Sequence, residues 1–456
     1  MTGAFRIGQG ERIRFTFDGK PLEGIPGDTL ASALLANGIH LTGRSFKYHR
    51  PRGILTAGAE EPNALVTIDR GHGRVTPNLR ATTIELHEGL IARTQNAWPS
   101  IRFDLGAIAG LASPLLSAGF YYKTFMWPAT FWKRLYEPAI RAAAGLGRAP
   151  SDPDPDRYSH RYAHCDLLVI GAGPTGLAAA KAASTNGQRV ILCDEQNAPG
   201  GSLLSQPNTR IDGNLAADWI PTSNVTILTR ATAFGWYPDQ MIGIAERVTD
   251  HLADPSPDLP RERLWLVRAA KIVIAAGAIE RPMVFPNNDR PGIMLASAAG
   301  TYLHRYGVLP GRRAVIATSH DSAWHVGFAL AAAGVTIAAI LDRRAHIDLA
   351  LTATAKALGI PIHTGTTITN THGRGRVTAV DIPTARIACD SVLMSDGWTP
   401  SVHLHSQARR PLHFDPATGV YQPNHPGSAG ACAGEFDLAE NFIVGIQRVK
   451  SRPETY

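Results

Sequence analysis

The run Cys165-Asp-Leu-Leu-Val-Ile-Gly-Ala-Gly-Pro-Thr-Gly-Leu-Ala-Ala-Ala180 constrains the fold of this chain more than any other stretch. Asp166 to Ile170 is a short apolar run suited to a buried parallel strand. Gly171, Gly173 and Gly176 then form G-x-G-x-x-G at the opening of a helical stretch that starts with Pro174 and Thr175. In that setting the first glycine permits a tight turn, the second lets backbone approach a pyrophosphate, and the third lets helix and strand pack closely. The N–H groups of the helix N-terminus face the phosphates. Alone, the motif says little. Here a second strand, Arg189-Val-Ile-Leu-Cys-Asp194, follows at βαβ spacing and ends in Asp194-Glu195, about 20 residues beyond the glycines, where an adenosine ribose is recognised. The acidic pair would repel a 2′-phosphate and disfavours NADP. NAD and FAD both stay open on these residues.

A chain of 456 residues suggests about three domains. Its 44% hydrophobic and 18% charged residues suit a soluble globular protein with a large core. The net charge of +7 is scattered, with no basic run of the length a nucleic-acid arm has, so no nucleic-acid partner is expected. Cys165, Cys193, Cys389 and Cys432 lie far apart with no C-x-x-C, so no metal or iron–sulfur site is expected, and reduced thiols in a cytoplasm are. The start lacks a signal peptide's apolar core. Leu105 to Tyr122, the nearest thing to a membrane span, is interrupted by Pro114 and by several Gly and Ser residues, so no membrane attachment is expected. None of the 17 histidines has ligand spacing, and no G-x-S-x-G or paired-carboxylate motif occurs. No residue stands out as catalytic, as in a chain whose cofactor chemistry is done elsewhere.

Along the chain, residues 11–70 read as a small β-rich unit: strand Arg12 to Phe17, an Asp18-Gly19 turn, a second strand, then helix Leu30 to Ala36 capped by Asp28 or Thr29. That is the opening order of a ferredoxin-like β-grasp, whose cluster loop is replaced by the cysteine-free Thr42 to Gly53. The expected domains are 1–97 for this unit, 98–162 for an aromatic-rich connector and Pro-rich linker, 163–300 with 396–440 for the Rossmann domain, 301–395 for an inserted nucleotide-binding-like domain, and 441–456 for an atypical tail. The inserted domain, with strands Gly311 to Thr318 and Val335 to Asp342, has Thr318-Ser-His-Asp-Ser-Ala323 where a phosphate turn would stand, so a second dinucleotide is not expected there. Lys271 to Pro282 is a strand running into a turn at Gly277 that can close over the nucleotide from the far side of the sheet. Gly430-Ala-Cys-Ala-Gly434 is another close-approach turn.

Several stretches resemble the alpha subunits of heterotetrameric sarcosine oxidase. They are Asp28 to Asn37, Arg44-Ser-Phe-Lys-Tyr-His-Arg-Pro-Arg-Gly53, Glu60 to Leu65, Ala118 to Pro128, Tyr136-Glu-Pro138, Gly277 to Pro282 and Asn288 to Gly292. The resemblance implies an α/β fold with two-dinucleotide-binding, Rossmann-type domains of the pyridine nucleotide-disulfide oxidoreductase kind, after a cluster-free ferredoxin-like β-grasp domain. It implies a complex that demethylates sarcosine oxidatively to glycine with formation of hydrogen peroxide, together with beta, gamma and delta subunits. NAD would be bound by this chain, FAD by the beta subunit, and FMN would lie at the interface with beta. Carried over by residue, Gly171, Gly173, Pro174, Thr175 and Gly176 would meet the NAD pyrophosphate, and Asp194 and Glu195 the ribose, with Gln196 beside them. Gly201 and Ser202 would reach the phosphate side, Ala233 the adenine through its backbone, and Ala433, Gly434 and Leu438 the nicotinamide side. FAD-binding relatives often have Gly-Asp at the late turn, and Glu435 after Gly434 tilts the choice toward NAD. The family's folate-binding half is not expected within these 456 residues.

Two further features carry expectations. Phe120, Tyr121, Tyr122, Phe125, Trp127, Phe131, Trp132 and Tyr136 crowd a short stretch of a protein only 7% aromatic, and could dock a subunit or pack on their own chain. Arg44, Lys47, His49, Arg50 and Arg52 could hold a flavin phosphate or be a solvated loop. Two other readings of function compete: a free-standing FAD-dependent NAD(P)H oxidoreductase, and a non-catalytic scaffold or truncated fragment.

Overall fold

The structure, a computed structural model, describes residues 6, 11–71, 73–112, 119, 127–145, 147–206, 210–211, 214–215 and 224–450. Its contacts divide the chain into two units, Met1–Pro155 with Pro282–Asp396 and Asp156–Arg281 with Gly397–Tyr456.

In the first unit β1 (Ile13–Phe17) and β2 (Lys20–Gly24) form a hairpin. Asp18 and Gly19 at its tip take φ of 48° and 75°, the left-handed pair a tight two-residue turn needs. Helix α1 (Leu30–Ala36) is buried at every position. Thr29 caps it reciprocally with Ser32: Ser32 N donates to Thr29 Oγ1 at 3.2 Å and Thr29 N to Ser32 Oγ at 3.0 Å. Asp28 does not cap but accepts from Ser32 Oγ at 2.7 Å, which orients the cap. With β3 (Leu65–Asp69), β4 (Val75–Arg80) and β5 (Ile91–Thr94) the sheet runs β2-β1-β5-β3-β4, with only β1 and β5 parallel. This is the expected β-grasp.

The same unit holds a parallel sheet in the order 293–295, 391–395, 313–318, 336–342, 362–364, with helices Ala296–Tyr306, Ser322–Ala332 and Leu349–Ala357. One hydrophobic core joins this sheet to the β-grasp, from Phe15 and Leu34 through Tyr302 to Trp324 and Val392. Leu295 N donates to Leu55 O at 2.9 Å and Tyr302 Oη to Thr56 O at 2.8 Å. Residues 282–300, assigned from sequence to the Rossmann domain, lie in this unit: Leu295 bonds to Leu55, and Ile293, Met294 and Ala296 belong to its core.

In the second unit β6 (Tyr158–Ile170), helix α2 (Pro174–Thr185), β7 (Val190–Cys193), β8 (Val225–Leu228), β9 (Ala231–Tyr237), β10 (Met241–Arg247) and β11 (Glu262–Ile274) build a six-stranded sheet in the order β8-β7-β6-β11-β10-β9. The first four are parallel, and β9 and β10 add an antiparallel meander. β6 begins inside the stretch read as linker. Its outer half is mostly exposed, and burial becomes continuous only from Leu167 to Ile170.

The stretch read as an atypical tail contributes most of helix α3 (Leu438–Lys450). Phe442 is buried with Leu167, Leu177 and Ala178, and Leu438, Val444, Ile446 and Val449 pack on that cluster. α3 is thus part of the second unit's core.

Candidate functional site

The carboxyl end of the β6–β7–β11 layer carries the Gly171–Gly176 turn. Gly171 has φ of 100°, closed to ordinary side chains, and a Cβ there would strike the Ala275 carbonyl at the end of β11. A Cβ on Gly176 would collide with the Gly171 carbonyl oxygen. Gly173, the N-cap of α2, differs: its φ of −73° and ψ of −175° suit any residue, and a Cβ there would meet nothing within 4 Å. The space beside Gly173 is a cradle at a helix N-terminus. No side chain caps α2, and Pro174 stands in its first turn, so the first-turn N–H groups of Thr175 and Gly176, which have no intrahelical acceptor, are the donors a phosphate would take.

Asp194, just past the end of β7, is tied to the turn. Its Oδ2 accepts from Ala172 N at 2.6 Å and its Oδ1 from Gln196 N at 2.8 Å. Ala231 N donates to Asp194 O and Arg230 N to Gln196 O, both at 2.8 Å, which brings the start of β9 here. Ala233 lies two residues further along β9. Glu195 follows Asp194 directly.

Three other segments reach the turn. Gly200 N donates to Ala172 O at 2.8 Å, and a Cβ on Gly201 would stand 2.7 Å from Gly173 Cα. Ser202 is exposed. Gly277 has φ of 71° with open space at its Cβ position, and its carbonyl accepts from Ser401 N at 3.0 Å. Gly430 to Gly434 is held against β11 by Ala429 N, which donates to Ile274 O at 2.9 Å, and by the Cys432 thiol, 3.1 Å from the same carbonyl. Ala433 and Gly434 lie in this turn. Leu438, the first residue of α3, packs on the cluster beneath α2. The sequence reading missed Asn441, whose Oδ1 accepts from Thr175 Oγ1 at 2.8 Å.

Residues 165–420 match the family described as pyridine nucleotide-disulphide oxidoreductase, and residues 10–97 the 2Fe-2S iron-sulfur cluster binding domain. The chain is 54% identical over 404 residues to sarcosine oxidase subunit alpha of Rhizobium meliloti (strain 1021), covering 86% of this chain and 40% of that one. This chain belongs to the pyridine nucleotide-disulphide oxidoreductase family and is, over most of its length, a homologue of sarcosine oxidase alpha subunits. The subunit alpha of Corynebacterium sp. (strain P-1) is 37% identical over 467 residues, covering 97% of this chain and 43% of its own. The chain thus spans less than half the length of these curated relatives. Among solved structures, L-proline dehydrogenase from P. horikoshii shares the fold, with a TM-score of 0.64 and 18% identity, covering 98% of this chain and 75% of that one.

In this family member the cluster-domain match contains no cysteine, so the thiolates that hold a [2Fe–2S] group are not supplied by residues 10–97. The loop in their place is basic, but most of its cations are engaged within the first unit. Arg44 Nε donates to Ile101 O at 2.9 Å, His49 Nδ1 lies 2.7 Å from Asp104 Oδ2, and Arg50 and Arg52 share Asp289 at 2.6 and 3.1 Å. In the parallel sheet of that unit, the acid at the strand end, Asp342, is fully buried. It accepts from Trp324 Nε1 at 2.9 Å and Arg344 Nη2 at 2.8 Å. The turn before it carries Asp321, which pairs with Arg344 at 2.7 Å. A carboxylate at that helix start repels phosphate, and Asp342 is already taken up.

Among the described residues no group of three His, Cys, Asp or Glu gathers as a metal would require, and no helix is long and apolar enough to cross a membrane. All four cysteines are buried and unpaired. Burial pushes the Cys165 thiol up to about 11 and the Cys193 and Cys389 thiols up to about 12, and it raises Cys432 as well. A buried thiol held this far above its ordinary value is a weak nucleophile. The native protein should not react with Ellman's reagent at mildly alkaline pH, and all four thiols should titrate after unfolding. Rapid reaction of a native thiol would contradict this burial.

Proposed function

We propose that this chain serves as the dinucleotide-binding part of a sarcosine oxidase alpha subunit. It would bind NAD at Gly171–Gly176 and brace a flavin-bearing beta subunit. The observation that carries the reading is the open cradle at Gly173, set against the uncapped start of α2 and next to Asp194. Gly171, Gly173, Pro174, Thr175 and Gly176 would hold the pyrophosphate, with Gly201 and Ser202 beside it. Asp194, Glu195 and Gln196 would hold the ribose, Ala233 the adenine, and Gly277, Ala433, Gly434 and Leu438 would lie toward the nicotinamide. The acidic pair supports NAD over NADP. The occupied acid in the parallel sheet supports one dinucleotide rather than the two a free-standing flavin reductase needs.

Bound NAD can carry a hydride or act as a fixed structural group. Exposed apolar side chains of the first unit support a bracing role: Trp98, Phe103, Leu111 and Trp127 are each more than 65% exposed, and Phe131 is 47% exposed. Phe120, Tyr121, Tyr122 and Phe125 lie outside the described residues. In the assembly, with beta, gamma and delta subunits, FAD in beta and FMN at the interface, sarcosine would be demethylated oxidatively to glycine with release of hydrogen peroxide. Unpaired buried thiols support a cytoplasmic location.

Co-expressed with its flavin-bearing partner, the chain should co-purify with it, and the assembly should form hydrogen peroxide from sarcosine. Changing Trp127 and Phe131 to Ala should weaken co-purification at least tenfold while the chain's own thermal midpoint stays, since buried aromatic anchors each contribute about 2 kcal/mol or more to an interface. A chain that never co-purifies, or a double variant that assembles like wild type, would overturn the bracing role.

A further inference from the structure

We infer that Asn441 is a positioning residue for the dinucleotide, fixing Thr175 and through it the first turn of the phosphate-binding helix α2. The inference rests on the reading that Gly171–Gly176 holds a dinucleotide, and it makes the stretch set apart as a tail part of that site.

Asn441 and Thr175 are separated by 266 positions in sequence, yet the Thr175 hydroxyl donates to Asn441 Oδ1 at 2.8 Å. Both residues are buried, at 5% and 6% exposure. The amide's other end is also used: Asn441 Nδ2 donates to Asp437 O at 2.7 Å. That bond sets which way the amide faces, because only nitrogen can donate to a carbonyl, and so Oδ1 is turned to the hydroxyl. The result is a directed chain from Thr175 to Asn441 to Asp437, the residue before α3. A buried amide is costly unless both ends are satisfied. Mere filling of this space would be served better by Leu.

The surroundings are shaped to let this contact form. A Cβ on Gly430, in the late glycine turn, would crowd Thr175 Oγ1 and stand 2.6 Å from Asn441 Oδ1. Gly445, one helical turn beyond Asn441 and on the same face, lets α3 approach the Thr175 carbonyl, where a Cβ would collide. The far end of α3 is held separately: the Lys271 ammonium donates to Val449 O at 3.2 Å. α3 is therefore anchored at its far end by a cap and along its length by packing, while Asn441 supplies the polar contact to the phosphate turn. Thr175 is one of the first-turn residues whose N–H points at a phosphate. Fixing its side chain fixes the direction of that donor.

The test uses the full chain and NAD+ itself. Affinity by calorimetry and amide exchange of residues 172–177 by mass spectrometry are measured for wild type, Thr175→Val, Asn441→Leu and the double variant. Ile443→Ala, exposed on the same helix, serves as control. Each single variant should lower NAD+ affinity about fivefold and speed exchange at the turn, as expected for one lost buried hydrogen bond. The double variant should be no worse than either single, because both break the same contact. The control should match wild type. Single variants that bind like wild type, or effects that multiply in the double, overturn the inference. Wild type that binds no NAD+ would instead overturn the functional reading. The exchange data then decide alone: faster exchange in both singles upholds the positioning role, and unchanged protection overturns it.

Discussion

Gly173→Val should give a protein that folds, melts close to wild type and retains no dinucleotide. Gly173 has extended backbone dihedrals that valine adopts freely, and the space at its Cβ position is open to 4 Å. The protein itself therefore gives no reason for glycine at this position. A ligand does: two methyl groups would occupy the ground a phosphate takes against the start of α2. Losing two charge-assisted N–H contacts there corresponds to about 3 kcal/mol, or roughly a hundredfold in affinity. Gly176→Val makes the contrast. Its side chain would run into the Gly171 carbonyl, so it should cost stability as well as binding. Thermal melting and nucleotide content of the two variants separate the roles of the two glycines. A Gly173→Val protein that keeps its nucleotide would mean the cradle is not the binding site.

Glu61→Ala should lower the melting midpoint of the first unit by roughly 10 °C, from a loss of about 3–5 kcal/mol. Glu61 is 1% exposed. Its Oε2 accepts from Leu55 N at 2.9 Å and Thr56 N at 2.7 Å, and its Oε1 from Asn63 N at 2.8 Å and Ala64 N at 3.0 Å. One carboxylate thus organises the whole 55–64 loop, and alanine would leave four donors facing a void. Glu61→Gln should recover only part of the loss, because its NH2 group would face N–H donors. Calorimetry decides, and a shift of only a degree or two would show that the loop is held by other means.

Features written locally in the sequence were legible. The cap at Thr29, the Asp18-Gly19 turn and the glycines at 171, 173 and 176 each depend on neighbours within a few positions, and each appears where expected. The outer half of β6 was not legible, because Tyr158 to His164 is mostly exposed and follows a run of prolines. The basic loop looked available for a phosphate because the acids that engage it, Asp104 and Asp289, lie 55 and 239 positions from their partners His49 and Arg50. Asn441 was invisible for the same reason. Its surroundings in sequence are an ordinary amphipathic helix, and its role exists only through a distant threonine. Residues 282–300 come soon after a strand of the Rossmann sheet, whereas Leu295 and Ile293 commit that stretch to the other unit.

NAD held at the Gly171–Gly176 turn underlies the proposed function. The most direct measurement is to purify the chain alone, denature it, and identify the released nucleotide by chromatography and absorbance. NAD, with no flavin, is the expected product. Release of FAD would contradict that function and favour a free-standing flavin reductase, and a folded chain that releases nothing and takes up no added NAD+ would contradict it equally.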